Sequence, residues 1–302
     1  MKAITVTFNP SFDTTLFCDG LHRDKANRVL DEITEAGGKG INVARVIDNL
    51  GVNTVAFCLV GSDDADKFGS LLKGDYFRLV KREGKTRENL TLRNGNECMK
   101  INRKGERVSE QSLAGFENEV LSFVEEGDIV VISGSMPIGY DKSRLCDFCK
   151  KLDVKGARIV LDTDIDERLI NEIKPFMIKP NEYEITDIVG ETDSLNTAAL
   201  KCYEAGVQNV IITLGEKGML VRNKDGEYLV FPKKIEPKST VGAGDSAVAG
   251  FVAGVILGME YTEILALSAA SGTATAMCEG TGLADSPLIQ EVKKATKVVK
   301  NK

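Results

Sequence analysis

Runs of β-favouring apolar residues alternate with helix-period patterns along most of the chain. Ile4 to Phe8, Thr54 to Val60, Ile129 to Ser133, Ile159 to Asp162, Phe176 to Ile178 and Val210 to Leu214 read as short buried strands. Between them, Ile41 to Leu50, Ala65 to Leu72, Arg144 to Leu152 and Thr197 to Ala205 repeat apolar residues at helical spacing. From Asp245 onwards the pattern is helical, starting with Val248, Phe251, Val252, Val255 and Ile256. Strands alternating with helices predict an α/β domain with a mostly parallel central sheet flanked by helices.

Two stretches break the alternation, residues 15–34 and 87–108. They lack helical period. The second carries short strand-like segments, Asn89 to Leu92 and Cys98 to Ile101, with turn signals at Asn94-Gly95 and Lys104-Gly105. Together the two stretches predict a small β-sheet laid over one edge of the main domain as a lid. No internal repeat or Pro/Ser-rich linker divides the chain, so residues 1–302 are expected to form a single domain whose lid is built from insertions.

Composition narrows the function classes. With 302 residues, 42% of them hydrophobic, the chain can bury a large core. A net charge of -6 and a pI near 5.2 argue against nucleic acid as a general partner. The basic tail from Lys293 to Lys302 reads as a solvated helix end. No apolar run approaches 20 residues, so no membrane span is expected. Seven widely spaced cysteines and the absence of a charged-then-apolar leader give the expectation of a reduced, cytoplasmic protein. Cys146 and Cys149 read as two half-buried thiols on an amphipathic helix, not as a metal or redox pair. The single histidine, His22, lies in a polar stretch, so a carboxylate is the expected group for any proton transfer.

The chemistry concentrates between Lys238 and Phe251, Lys-Ser-Thr-Val-Gly-Ala-Gly-Asp-Ser-Ala-Val-Ala-Gly-Phe. Gly242, Ala243 and Gly244 let the backbone turn tightly and approach a ligand, and the helix that follows offers unpaired N–H groups and partial positive charge to an anion. Asp245 falls beside that anion hole, although an aspartate in a first helical turn is also an ordinary cap. The string also fits Gly-x-Gly-x-x-Ala through Gly242, Gly244 and Ala247. A dinucleotide fold, however, needs an apolar strand immediately before it and a second strand after it, and neither is present.

Two further motifs lie where strand ends would meet one crevice: Asn9-Pro10-Ser11-Phe12-Asp13, and Ala36-Gly37-Gly38-Lys39-Gly40-Ile41-Asn42-Val43-Ala44-Arg45. Asp13 can bind sugar hydroxyls and Gly37 and Gly38 allow close backbone approach. Taken singly, these residues also fit a plain turn and a loop before a helix.

In this order and at these separations, Asn-Pro-x-x-Asp, Gly-Gly-Lys-Gly-Ile-Asn-Val-Ala-Arg and Ser-Thr-Val-Gly-Ala-Gly-Asp-Ser resemble the PfkB branch of the ribokinase-like sugar kinases over almost the whole chain. The resemblance implies a ribokinase-like three-layer fold with a small β-sheet lid, ATP and Mg²⁺ as cofactors, a sugar-phosphate substrate, and a homodimer formed through the lid. It implies Asp245 as the catalytic base, with Gly242, Ala243 and Gly244 holding the transition-state charge. Asp13, Gly37, Gly38, Lys39, Asn42, Arg87 and Ser135 become substrate-binding residues, Arg87 gripping the substrate phosphate with a bidentate fork. Lys179, Asn181, Thr213, Gly215, Gly218 and Gly280 become ATP-side residues. Asn181 and Glu184, of Lys-Pro-Asn-Glu-Tyr-Glu, would hold Mg²⁺ through water. No Gly-x-x-x-x-Gly-Lys-[Ser/Thr] occurs, so an ATP site here is not of the P-loop kind. The text Ser-Thr-Val-Gly-Ala-Gly-Asp-Ser resembles members that act on fructose 1-phosphate more than those acting on tagatose 6-phosphate. Tagatose 6-phosphate or fructose 6-phosphate as the substrate, and a sensor that binds a sugar phosphate without chemistry, remain the alternatives.

Overall fold

The computed structural model describes residues 1–95 and 97–301. Ten strands form the main sheet in the order β14-β13-β12-β11-β10-β9-β8-β1-β4-β5. They are β1 (Ala3–Thr7), β4 (Thr54–Gly61), β5 (Phe77–Arg82), β8 (Ile129–Ser133), β9 (Arg158–Asp162), β10 (Met177–Ile178), β11 (Asn209–Thr213), β12 (Met219–Asn223), β13 (Gly226–Phe231) and β14 (Lys297–Lys300). Neighbours from β5 to β11 pair parallel, and β11 to β14 pair antiparallel. A separate sheet has the order β3-β2-β6-β7, from β2 (Ser11–Cys18), β3 (Val29–Gly37), β6 (Arg87–Asn94) and β7 (Glu97–Asn102).

Helices cover both faces of the main sheet. One layer holds α3 (Glu110–Phe123), α4 (Lys142–Val154), α5 (Glu167–Ile173), α6 (Glu184–Val189) and α7 (Leu195–Glu204). The other holds α1 (Lys39–Asn49), α8 (Ala243–Ile256), α9 (Tyr261–Ala276) and α10 (Ser286–Ala295), and the short α2 (Ala65–Ser70) packs beside β4 and β5. Side-chain alternation decides which layer each strand residue meets. Ile4, Val6, Val130, Ile132, Ile159, Leu161, Val210 and Ile212 enter the first layer's core, while Ala3, Ile129, Val131, Val160, Met177 and Ile211 enter the second. Both faces are buried, which is why these strands read as continuous apolar runs.

The expected three-layer α/β architecture is therefore present, with the differences at its edges. The tail expected to be a helix end is β14, an edge strand paired with β13; Lys302 itself lies outside the described residues. Its lysines, Lys297 and Lys300, suit an edge whose outer side faces water. The hairpin β12–β13 and the strand β5 carry charged residues among their apolar ones and so lack a continuous apolar run. The small sheet is longer than expected at one end and shorter at the other: it begins at Ser11 and reaches Gly37, and β7 stops at Asn102. Cys146 and Cys149 are fully packed into α4's buried face, not half-buried.

Candidate active site

The parallel strands end together on one edge of the main sheet. β1 has β4 on one side and β8 on the other, so the sheet's direction of winding reverses there. Chains leaving such a switch point diverge and leave a crevice outside the carboxyl ends of the strands. A cleft of about 540 Å³ opens at this place, lined by Thr7 at the end of β1 and Asn9 beyond it, Gly134 and Ser135 after β8, Gly38 and Lys39 at α1, and Arg87 and Asn89 of β6.

The same alternation that builds the core selects what faces α1 and α8 at the strand ends. Ser133 and Asp162 are paired in register across β8 and β9, and Lys179 follows β10 on the same face. Asp162 is 4% exposed and receives one ammonium on each oxygen, Lys39 Nζ at 3.4 Å from Oδ2 and Lys179 Nζ at 3.4 Å from Oδ1. Burial alone would push the Asp162 carboxyl up, but Lys179 and Lys39 outweigh it and hold it below the ordinary carboxylate range. Burial likewise works against the Lys39 ammonium, and Asp162, Asp245 and Glu184 reverse that effect and raise it.

Asp245 enters this cluster from the first turn of α8. Gly242 caps the helix with φ 76°, a left-handed conformation that a side chain would strain. The N–H groups of Gly244 and Asp245 make no hydrogen bond to a backbone carbonyl among the described residues, so this turn presents donors. Asn42 Nδ2, from α1, donates to Asp245 Oδ2 at 2.9 Å. Asp245 is 6% exposed, and burial first, then the Asp162 charge, push its carboxyl up to about 6. The result is a carboxylate that takes protons near neutrality, among two cations and a helix N-terminus. No β-strand precedes α8 directly: residues 232–242 are irregular after β13, as the rejection of a dinucleotide site requires.

Asp13 is in strand β2 of the small sheet, not in a turn. Its Oδ1 accepts from Ser11 Oγ at 2.7 Å and Asn89 Nδ2 at 2.9 Å. Gly37, paired with Ser11 on β3, sits diagonally across from it, where a Cβ would fall 1.9 Å from Asp13 Oδ2, so the missing side chain leaves the space the carboxylate occupies. Arg87 donates from Nε to the Asn9 carbonyl and from Nη1 to the Arg103 carbonyl, both at 3.0 Å, which fixes its fork at the cleft. Burial lowers the Arg87 pKa and Asp13 opposes the shift. Ser135 Oγ lies 3.3 Å from Asn9 Nδ2.

On the other side of Lys179, Asn181 bridges to Thr213 at the end of β11. Asn181 Oδ1 accepts from Glu184 N and Glu184 Oε2 accepts from Asn181 N, each at 2.8 Å. Asn-x-x-Glu is thus a reciprocal capping box in this chain. Glu184 is exposed, and among the described residues no group of three or more His, Cys, Asp or Glu could hold a metal alone. That donor set fits a magnesium ion that keeps its waters and arrives on phosphates, and does not fit a dehydrated metal. Gly215 and Gly218 bracket a single 3₁₀ turn joining β11 to β12, so the expected loop is also a hairpin turn. Gly280 lies in the loop after α9 and takes no part in the carboxylate–lysine cluster. Thr281 in that loop hydrogen-bonds Glu35 of β3.

The structure therefore brings Lys39, Asn42, Lys179 and Asp245 to one cluster and Gly38, Lys39, Arg87 and Ser135 to one cleft. Sequence reasoning missed Asp162 and Asn89 as parts of them. The signal for Asp162 was present: an acidic residue closing an otherwise apolar strand, on the edge where ligands gather.

The pattern that defines the pfkB family carbohydrate kinases matches residues 7–288. The chain is 32% identical over 298 residues to the 1-phosphofructokinase of Escherichia coli strain K12, covering 95% of this chain and 94% of that protein. It is 33% identical over 301 residues to the 1-phosphofructokinase of Bacillus subtilis strain 168, covering 96% and 98%. Among solved structures, the phosphofructokinase-2 of Escherichia coli in complex with potassium superposes with a TM-score of 0.91 at 26% identity, covering 97% of this chain and 98% of that one. The same enzyme has been crystallised with fructose-6-phosphate and in a tetrameric inhibited form.

Proposed function

The chain belongs to the pfkB family of carbohydrate kinases, a family of phosphotransferases, and we propose that within it this protein transfers the ATP γ-phosphoryl group to the 6-hydroxyl of fructose 1-phosphate. The products are fructose 1,6-bisphosphate and ADP. The observation that carries the reading is the buried Asp245 at the N-terminus of α8, held by Asn42 and poised near pH 6. Asp245 accepts the hydroxyl proton as the sugar oxygen bonds to the γ-phosphorus and the bond to the β-phosphate oxygen breaks. The N–H groups of Gly242 to Gly244 and the helix dipole stabilise the charge on the transferring group, with Lys39 and Lys179 adding fixed positive charge. Magnesium supplies neutralisation of the nucleotide phosphates, and Asn181 and Glu184 would hold it through water.

Asp13 orients sugar hydroxyls and Arg87, with Ser135, receives the phosphate already on the sugar. Thr213, Gly215, Gly218 and Gly280 border the nucleotide. The small sheet acts as a lid, since its residues Asp13, Arg87 and Asn89 line or support the cleft. The face of that sheet opposite Asp13 carries Leu16, Leu90, Leu92, Met99 and Ile101 by register, with Met99 46% and Ile101 44% exposed. A second copy of the chain covering this face gives a homodimer through the lid.

ADP release with Mg-ATP, measured across fructose 1-phosphate, fructose 6-phosphate, tagatose 6-phosphate and free fructose, tests the reading. Preference for fructose 1-phosphate supports it. Preference for fructose 6-phosphate would put first the second reading, which the likeness to phosphofructokinase-2 favours, and sugar-phosphate binding without ADP formation would make the protein a sensor.

A further inference from the structure

We propose that Asp162 is a positioning residue for phosphoryl transfer: it anchors the ammonium groups of Lys39 and Lys179, one on each carboxylate oxygen, and so fixes two cations beside Asp245. This rests on the kinase reading above and adds a residue that no sequence motif singled out.

The two lysines come from different elements. Lys39 opens α1 and Lys179 follows β10, and neither is tied to the other in sequence. The Lys179 side chain is only 6% exposed and the Lys39 side chain 43%. Long lysine side chains have many rotamers, and like charges separate unless something holds them. Asp162 supplies that hold because alternation in β9 aims it at the α1/α8 face, and because its strand is flanked by those leading to Gly134 and Lys179. Beside it, the Ser133 hydroxyl is buried with no hydrogen-bond partner among the described residues, so it does not compete for the lysines. The carboxylate also faces Asp245 electrically. The charged groups acting on Asp245 are Asp162 from β9, Lys39 from α1 and Lys179 after β10, with Asn42 of α1 as the neutral donor. Asp162 disfavours ionised Asp245 while both lysines favour it, so the triad sets the base's proton affinity as well as the cations' places.

A carboxylate that merely compensated buried lysines would affect stability alone. A positioning role makes opposite kinetic signs for two substitutions. In the acid limb of kcat/KM against pH, Asp162→Asn is expected to move the limb down by about one pH unit, and Lys39→Gln to move it up. Asp162→Asn is also expected to lower kcat about 10- to 100-fold through misplaced cations. Lys39 is partly exposed, so its variant folds even if Asp162→Asn does not. The same shifts are read without turnover from melting temperature against pH, taking each protein's difference from its counterpart carrying Asp245→Asn. Opposite shifts in either readout support the proposal. Unmoved limbs, shifts of the same sign, or a folded Asp162→Asn enzyme with kcat within twofold of wild type would overturn it. Absence of turnover on every sugar phosphate would sink the kinase reading instead, while the melting series still decides the role of Asp162.

Discussion

Replacing Asp245 by asparagine should stop the enzyme and stabilise the protein, in a pH window set by the site. Asp245 is 6% exposed, and its pKa stands at about 6 in the fold against an ordinary 3.8. The folded state therefore holds this proton more tightly than the unfolded chain. Stability falls as pH rises from about 4 to about 6 and stays lowered above that, because ionising the buried carboxylate opposes folding. The gap corresponds to about 3 kcal/mol. Asparagine has no charge to bury, and its side-chain carbonyl can still accept from Asn42 Nδ2. Asp245→Asn should gain up to about 3 kcal/mol relative to wild type at pH 8 and nothing near pH 4. Urea unfolding at both values, with equal m-values, measures the gain, and the other carboxylates cancel in the difference. In the same protein, loss of the general base should lower kcat about 10²- to 10⁴-fold. Equal stability changes at pH 4 and pH 8, or a loss at pH 8, would refute the electrostatic account; near-normal turnover would remove Asp245 from the chemistry.

Three other substitutions address separate parts of the molecule. Arg87→Ala should raise KM for a phosphorylated sugar by about 10-fold or more while KM for ATP moves little, as loss of a charge-assisted phosphate contact requires; equal rises would point to closure of the lid. In Gly37→Ala the new methyl would meet Asp13 Oδ2 at 1.9 Å, so the sugar's KM should rise while circular dichroism stays unchanged, and an unaltered KM would detach Asp13 from the sugar. Leu92→Glu, on the apolar face of the small sheet, should shift sedimentation towards a monomer, since burying a charge there opposes association, and an unshifted boundary would place any dimer contact elsewhere.

The layers of the fold were legible because parallel strands buried on both faces must be apolar at every position, and that leaves a strong mark in the text. Ile129 to Ser133 and Ile159 to Asp162 are cases where run and strand agree almost to the residue. The antiparallel margin was not legible for the converse reason. Met-Leu-Val-Arg-Asn and Gly-Glu-Tyr-Leu-Val-Phe mix polar and apolar residues, and Lys-Val-Val-Lys is too short to show a period beside the lysine-rich end of α10. For the site, motifs with glycine or proline punctuation announced α1 and α8. Asp162 carries no punctuation. It acquires its role from pairing between strands distant in sequence, which one-dimensional periodicity cannot supply.

That pairing also explains why the site tolerates so costly an arrangement. A buried carboxylate is unfavourable by itself, and so is the buried ammonium of Lys179. Brought together they offset one another: Asp162 is held ionised by the lysines, Lys39 is held charged by Asp162, and Asp245 carries the cost of its burial beside a second carboxylate. Burial, with the Asp162 charge beside it, is therefore what raises the proton affinity of Asp245 against the pull of the two lysines and Asn42, and a base that ionises near pH 6 is placed to take a hydroxyl proton.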